Sequence, residues 1–463
     1  MKLFKGLLIA ALLVAFAIPG YAETQSIKLS GDIIIRHIVR DDYDFNSHDS
    51  DTDATDGTYF MTNAEVQLDA DLTDNVSATI RVINQRDWTA PVVDGSCNTT
   101  NEYDMAVDLA YVTLKEFFFQ PLTIRIGRQD IWLGKGFIVG ANYQDPNATI
   151  SADEWTSVVS FDAIRATWDF EPWTLDTVFA EIDENHVRAD DDIQLYGANL
   201  GYILDFYNAE TEVYYWFKKD DGIMALRSGS DTGDRIHCLG MRGSFEPHDD
   251  ITLWGEYAIQ RGTYIKDATP GEKRNREAFA VDLGSEIRLW KEQYAWEPVV
   301  GAEYIFYSGQ AEHKNRSGSD YHAWDRMYRG KVDSAIHEWY NVFYTTGMPT
   351  TSDNGGTNLH QFILCGSITP MDNLSVDARW ISFRLAEEAD TGNKNVGNEL
   401  DVELIYEYTE DVTFGLLSAW FWSGDYYTTP EHAPQNPIAG GTETVAKGKS
   451  VASEVVATCR VTF

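Results

Sequence analysis

Residues 279–289 read Phe279-Ala280-Val281-Asp282-Leu283-Gly284-Ser285-Glu286-Ile287-Arg288-Leu289, and apolar and polar side chains alternate along this stretch. A period of two is that of a β-strand with one apolar and one polar face. The same alternation recurs at residues 213–217, 374–380 and 400–408. A helical period is not sustained for four turns anywhere after the N-terminus, so the sequence predicts an all-β protein.

The connections between these strands alternate between short and long. Tight links fall near residues 72–75, 171–172, 205–208, 247–249, 369–373 and 409–411, and two slightly longer ones near 116–120 and 291–295. Long polar stretches cover residues 41–58, 88–103, 132–160, 183–191, 219–235, 262–276, 309–357, 386–397 and 424–448. In strict alternation these links join 18 strands, and a further hairpin within 132–160 would raise that count. Short turns at one end and long loops at the other are typical of outer-membrane barrels.

The last strand of the chain ends on an aromatic residue. Val455, Ala457, Cys459, Val461 and Phe463 form one apolar face, and polar residues dominate the other. A terminal Phe on an alternating strand resembles the assembly signal of bacterial outer-membrane proteins. We therefore expect Phe463 to act in membrane assembly.

Closure of the sheet follows from the hydrocarbon environment of a membrane. In hydrocarbon every backbone N–H and C=O group needs a protein partner, so strands can span a membrane only as a closed barrel. A one-residue slip would place the charged rows in lipid, which fixes the apolar face outward and the polar face toward the lumen. The sequence thus predicts a transmembrane antiparallel up-and-down β-barrel of about 18 strands, with short periplasmic turns and long extracellular loops. Its lumen is wider than side chains can fill, and segments 132–160 and 309–357 are candidates to narrow it.

The N-terminus has the layout of a secretory signal peptide. Lys2 and Lys5 precede an apolar core at 7–18, and Gly20-Tyr21-Ala22 supplies the small residues of a cleavage site. The apolar run is too short for the alternative, a membrane anchor. We expect residues 1–22 to be a cleaved signal peptide and 23–463 to form a single outer-membrane barrel domain.

The charge balance narrows the range of functions. The chain has 73 acidic and 36 basic residues, a formal net charge of −37. Nucleic-acid binding needs a basic face, so we expect no nucleic-acid partner. The four cysteines are far apart and form no metal or redox pattern. We find no GxSxG motif or other nucleophile arrangement, and therefore expect neither an enzyme nor a cofactor.

Three stretches resemble the alginate-export family of outer-membrane porins. They are Ile124-Arg125-Ile126-Gly127-Arg128-Gln129 with Leu133-Gly134, then Gly397-Asn398-Glu399-Leu400-Asp401-Val402 with Trp420-Phe421-Trp422-Ser423-Gly424-Asp425, and Trp324-Asp325-Arg326-Met327-Tyr328. The resemblance extends over most of the chain after the signal peptide. It implies an 18-stranded barrel and, from the family's type member, export of an anionic polysaccharide through an arginine-lined lumen.

The alternation gives a set of candidate pore-lining residues of both charges. They are Arg81, Arg125, Arg128, Arg165, Asp282, Glu286, Arg288, Arg379, Asp401 and Glu403. Acids are in the majority on the inward face as a whole, which predicts repulsion of a polyanion unless arginines cluster at the constriction. Arg125, Arg128 and Arg165 are the best candidates for such a cluster. The alternative for each arginine is a cross-strand pair with a neighbouring carboxylate.

A second charged feature is the loop at 41–58, which is rich in Asp. Asp49, Asp51 and Asp53 have the spacing of part of a calcium loop, but Ala54 occupies the glycine position and the closing Glu is missing. A solvated acidic loop is one interpretation, and weak divalent binding that bridges to lipopolysaccharide phosphates is the other.

Two classes of function remain open. The first is a porin that passes small hydrophilic solutes or ions, with an oligosaccharide or polysaccharide as a further solute class. The second is a sheath around a partner protein, such as the barrel of a multihaem electron conduit. Either protein has outer-membrane lipid, lipopolysaccharide and the outer-membrane assembly machinery as partners. We favour the porin, because a sheath generally needs a wider barrel.

Overall fold

In the computed structural model, one antiparallel sheet of 18 strands closes on itself into a barrel. The structure describes residues 26–43, 57–88, 105–141, 159–183, 192–221, 234–265, 273–289, 296–311, 319–328, 334–337, 357–388, 393–428 and 451–463. The strands are β1 Ser26–Asp41, β2 Gly57–Thr73, β3 Val76–Asp87, β4 Ala106–Leu114, β5 Leu122–Gln129, β6 Phe161–Asp169, β7 Trp173–Asp183, β8 Ile193–Leu204, β9 Ala209–Asp220, β10 Asp234–His248, β11 Ile251–Ile265, β12 Lys273–Arg288, β13 Val299–Tyr307, β14 Leu359–Met371, β15 Leu374–Leu385, β16 Asn395–Thr409, β17 Val412–Ser423 and β18 Val451–Thr462.

Each strand pairs with the next along the chain, and β1 pairs with β18, from Asp32 opposite Thr462 to Asp41 opposite Ser453. The predicted strand number and up-and-down topology are therefore confirmed. The eight predicted turns and the nine predicted polar stretches alternate along the chain as connections between strands, but their lengths overlap: the predicted turn at 289–298 is longer than the predicted loop at 266–272. Below, the barrel end that carries the long connections is called the loop end, and the opposite end the turn end.

Among the described residues, no helix is long and apolar enough to cross a membrane. Regular helical structure there comprises a 3-10 turn at Asp425–Thr428, just after β17, and two helical residues at 336–337. The predicted signal peptide and the acidic triplet Asp49, Asp51 and Asp53 lie outside the described residues.

Alternation separates the two faces of the wall as predicted. In β12, Leu283 is 52% exposed on the outer surface, whereas its neighbour Asp282 points inward and is 1% exposed. Large apolar side chains such as Ile33, Leu364 and Leu416 populate the outer surface of other strands. A surface of this kind requires a hydrocarbon environment, since in water it would be an aggregation site.

The seam between the first and last strands is closed on both faces. On the outer face, the backbone of Phe463 exchanges hydrogen bonds with Gly31 at 2.8 and 3.0 Å. The Phe463 ring covers Gly31 so closely that a Cβ there would overlap it. On the inner face, Arg460 donates to Asp32, and Arg40 donates to Glu454 at 3.0 Å. Phe463 thus belongs to the closure of the barrel as well as to its C-terminus.

Candidate functional site

The lumen is the candidate site, and the structure places all but one of the predicted pore residues on its wall. Arg81, Arg125, Arg165, Asp282, Glu286, Arg288, Arg379, Asp401 and Glu403 share the inward face of their strands. They are spread around the wall rather than gathered in one ring. Arg379, for example, lies directly opposite Asp401 on adjacent strands, while Asp282 lies opposite Glu256.

The prediction for Arg128 is wrong, because this side chain lies on the outer face. Arg128 is opposite Asp162, which in turn is opposite Glu181, and all three alternate with inward residues. Its guanidinium lies 3.4 Å from the Asp162 carboxylate. The physical reason is the odd spacing from Arg125: three residues along a strand reverse the face.

Two of the predicted arginines are neutralised by carboxylates, as the cross-strand alternative proposed. Arg81 contacts Asp108 at 2.5 Å and Asp130 at 3.3 Å, and the Ser160 hydroxyl lies 3.0 Å from a carboxylate oxygen of each acid, with one proton to donate between them. Arg165 donates to Asp176 at 2.8 Å. Neither arginine therefore contributes a full positive charge to the lumen.

Arg125 differs from these two. It lies opposite Arg165 in the register of β5 and β6, and its guanidinium stacks 4.5 Å from the centre of the Tyr111 ring. Within the described part of the chain, its guanidinium has no carboxylate partner. Stacking on an aromatic face leaves the N–H donors at the guanidinium edge available to a solute. Arg125 thus keeps an inward positive charge that can act on permeating ions.

Two of the long connections fold into the loop end of the barrel. Residues 131–141 and 319–328 meet there: Val139 bridges to Tyr328, and the amides of Gly140 and Ala141 donate to the Tyr328 carbonyl. This confirms the expectation that segments 132–160 and 309–357 narrow the lumen, for the parts of them that the structure describes. We call residues 131–141 the first inward segment and 319–328 the second.

The second inward segment is anchored by polar groups on the wall. The side-chain amide of Gln260 donates to the Asp325 carbonyl at 2.7 Å and accepts from the Asp325 amide at 2.9 Å. Lys218 approaches the Asp325 carboxylate at 3.4 Å, and Arg276 donates to the Ala323 carbonyl at 2.9 Å. Burial alone would raise the pKa of Asp325, but Lys218 and Arg276 hold that pKa below its ordinary value. Asp325 is therefore a buried anion, and the segment is fixed by charge.

A third inward piece, residues 334–337, rests on β16. The carboxylate of Glu399 accepts the amides of Ile336 at 2.7 Å and His337 at 3.0 Å, and Asp401 accepts that of Ala335 at 3.2 Å. The imidazole of His337 lies 4.0 Å from the Phe383 ring and 5.5 Å from the Phe421 ring, centre to centre. Complete burial lowers the pKa of His337 to about 3. This imidazole is therefore neutral at physiological pH.

The alternation predicted a polar face along the whole lumen wall, but the structure shows a wall that is polar only in part. Toward the loop end, inward positions carry apolar residues that pack on the inward segments in one buried cluster, among them Phe161, Leu195, Trp216, Ile236, Tyr307, Ile363, Phe383 and Phe421. Toward the turn end, the inward positions remain charged and polar. The reason is local: where chain fills the lumen, the wall faces protein rather than water.

Below the first inward segment lies a cavity of about 220 Å³. It is lined by Lys135, Glu210, Arg242, Ser244, Thr252, Trp254, Glu256, Asp282 and Glu286. Lys135 stands between Gly134 and Gly136, whose φ angles of 57° and 72° bend the segment, and its ammonium lies 3.2 Å from the centre of the Trp254 ring. Arg242 is held by Glu210 at 3.2 Å and Glu212 at 2.5 Å. Four carboxylates thus face two cations across this cavity, and Arg242 is paired with Glu210 and Glu212.

Lys135, Lys218, Arg242 and Asp325 are functional candidates that alternation alone did not single out. Asp325 lies within the Trp324 to Tyr328 stretch that carries the family resemblance, and this stretch forms the core of the second inward segment. That motif was therefore the available signal. Its role as an inward anchor depends on contacts between distant parts of the chain.

The family model described as alginate export matches residues 33–437. The chain belongs to the alginate export family. Among curated proteins, none matches the chain in sequence.

The fold is also found in solved structures. Acinetobacter baumannii OccAB1 aligns with a TM-score of 0.56 and 10% identity, over 96% of this chain and 98% of that one. Pseudomonas aeruginosa OccK8 (OprE) gives 0.56 and 10% identity, over 95% and 98%. Pseudomonas aeruginosa OccK2 (OpdF), in complex with glucuronate, gives 0.53 and 11% identity, over 95% and 98%. At this identity the likeness shows a shared barrel architecture.

Proposed function

We propose that this family member is a passive channel of the outer membrane for small hydrophilic solutes or ions. The observation that carries the proposal is the division of the lumen. Its turn end keeps a charged wall that suits water, while its loop end is narrowed by the inward segments. Selection at a constriction above a wide polar vestibule is how pores combine flux with discrimination.

The charge of the cavity argues for a weak preference for cations. Glu210, Glu256, Asp282 and Glu286 outnumber Lys135 and Arg242 around it. A wall of low dielectric concentrates the field of those carboxylates, but salt at about 0.15 M screens it beyond about 8 Å. Only charges near the narrow part will therefore count. Arg125, stacked on Tyr111, opposes the preference locally.

An acidic polysaccharide is the solute that the family name suggests. Its passage would need cations in series along the wall, and here Arg81, Arg165 and Arg242 are each held by carboxylates. This pairing of the wall arginines favours small solutes over a polyanion as the permeating species. The sheath alternative is less well supported, because the inward segments occupy the space that a partner protein would need.

The experiment is the reversal potential of single channels in planar bilayers under a salt gradient. A potential of the sign that reports weak cation preference supports the proposal. Clear anion selectivity, lost in the Arg125→Ser variant, would instead support export of a polyanion. The proposed outer-membrane location and removal of residues 1–22 are tested by N-terminal sequencing of outer-membrane material, which should begin at Glu23.

A further inference from the structure

The outer surface of β9–β11 changes character at the loop end. Going up β9, the outward residues are Val213, Tyr215, Phe217 and then Lys219; going up β10 they are Met241, Leu239, His237 and then Arg235. On β11, Tyr257 and Ile259 are followed by Arg261. Three adjacent strands thus place a cation immediately above a lipid-facing apolar column.

The register brings these cations together. Lys219 lies directly opposite Arg235, and Arg261 lies opposite His237, one step lower on the same face. Asp221 fixes the upper pair, accepting from Lys219 and from Arg235 at 2.6 Å each. Arg261 is 55% exposed in its side chain and makes a long contact of 3.9 Å with Glu277. A lysine has three N–H donors and an arginine five, so each retains donors after these contacts.

Aromatic and imidazole rings lie next to these cations on the outer surface. The Tyr215 hydroxyl lies 2.6 Å from the His237 imidazole nitrogen, and His237 stacks on Phe217 at 4.6 Å. Amphipathic rings at this height mark the border between acyl chains and head groups. Lys219 and Arg235 above these rings, and Arg261 level with them, therefore lie at the border with the head groups, on the side of the membrane that the long loops face.

We propose that Lys219, Arg235 and Arg261 form a docking site for the phosphates of lipopolysaccharide in the outer leaflet. Charge-assisted hydrogen bonds from guanidinium and ammonium groups suit a phosphate ester. The acyl chains of the same molecule would cover Tyr215, Leu239 and Tyr257 below. The site binds the surrounding membrane rather than the solute, so it is independent of what passes through the pore.

The test uses the full protein purified from outer membranes and lipid A in the same detergent, with binding followed by native mass spectrometry. The variant carrying Lys219→Gln, Arg235→Gln and Arg261→Gln should bind bisphosphorylated lipid A at least about tenfold more weakly, a conservative figure for the loss of charge-assisted hydrogen bonds. Lys115→Gln, which removes one positive charge from a connection at the turn end, is the control for position and should bind normally. The charge-preserving variant with Lys219→Arg, Arg235→Lys and Arg261→Lys should also retain binding.

Heat-modifiable migration in gels establishes that each variant is folded. The proposal is overturned if the folded triple glutamine variant binds lipid A as tightly as the original protein. It is equally overturned if dephosphorylated lipid A binds as well as the bisphosphorylated form. Competition by inorganic phosphate as effective as that by lipid A would assign the cations to a small anion instead.

Discussion

Single side chains decide the electrostatics of the lumen. Arg125, Arg128 and Arg165 are close in sequence or in space, yet each has a different fate: one stacks on Tyr111, one faces outward, and one is paired with Asp176. The three-residue spacing separates Arg128 from Arg125, but residue type alone does not show which inward arginine is paired with a carboxylate. The charge that remains available is that of Arg125.

Replacing Arg125 by Ser should therefore raise the cation preference of the pore. The reason is the loss of an inward positive charge that no described carboxylate offsets. Arg128→Ser removes the same charge from the outer face and should leave the reversal potential unchanged. Equal shifts in the two variants, measured in the same salt gradient, would contradict the placement of these side chains.

His337 makes the docking of residues 334–337 on the barrel wall dependent on pH. Its pKa falls from an ordinary 6.5 to about 3 on burial, so the docked state binds the proton more weakly than the released state. Stability from this group is complete above pH 6.5 and is lost as pH falls toward 3. At pH 5 the loss amounts to about 2 kcal/mol.

We expect channel conductance to rise between pH 7 and pH 5 as residues 334–337 detach. His337→Phe keeps a ring between Phe383 and Phe421 but cannot take up a proton, so its conductance should vary less with pH. If the conductance of the original protein and that of His337→Phe change equally with pH, His337 is not the group responsible.

At the scale of strands, period-two alternation predicted most of what is observed. The 18 strands, the eight tight links and the outward apolar face depend on neighbouring residues along the chain, which is why they can be read from it. The inward segments depend on contacts between distant residues, such as Gln260 with Asp325. For that reason, the sequence does not predict where the inward segments lie on the wall, nor that the wall behind them is apolar.

A charge on the lipid face of a strand should damage the barrel, while the same charge on the lumen face should not. Leu283→Arg places a cation near the middle of β12 on the outer surface and should cost about 2–4 kcal/mol of folding stability. Glu286→Arg, on the inward face beside the cavity, is the control. It suits this comparison better than Asp282, which faces inward as predicted but is buried. Urea-dependent folding into lipid vesicles gives both values, and equal losses would contradict the assignment of the two faces.

At the scale of the whole molecule, closure depends on the pairing of β1 with β18. Deletion of Phe463 removes two backbone hydrogen bonds to Gly31 and the ring that covers it. We expect a clear fall in the folded fraction found in outer membranes, judged by heat-modifiable migration in gels. Phe463→Tyr keeps the ring and the backbone contacts and should assemble normally. Normal assembly of the deletion variant would contradict a role for Phe463 in closure.

The central claim is that charged contacts hold the inward segments in a conducting lumen, and single-channel conductance tests it most directly. Lys218→Met leaves the buried Asp325 carboxylate without its lysine, a loss of about 3–5 kcal/mol for a buried pair, which should release the second inward segment. Lys219→Met, one residue along and on the outer face, is the matched control. We predict discrete conductance steps for the original protein and for Lys219→Met, and larger steps for Lys218→Met. An original protein that gives no steps, or a Lys218→Met variant whose steps are unchanged, would contradict the claim.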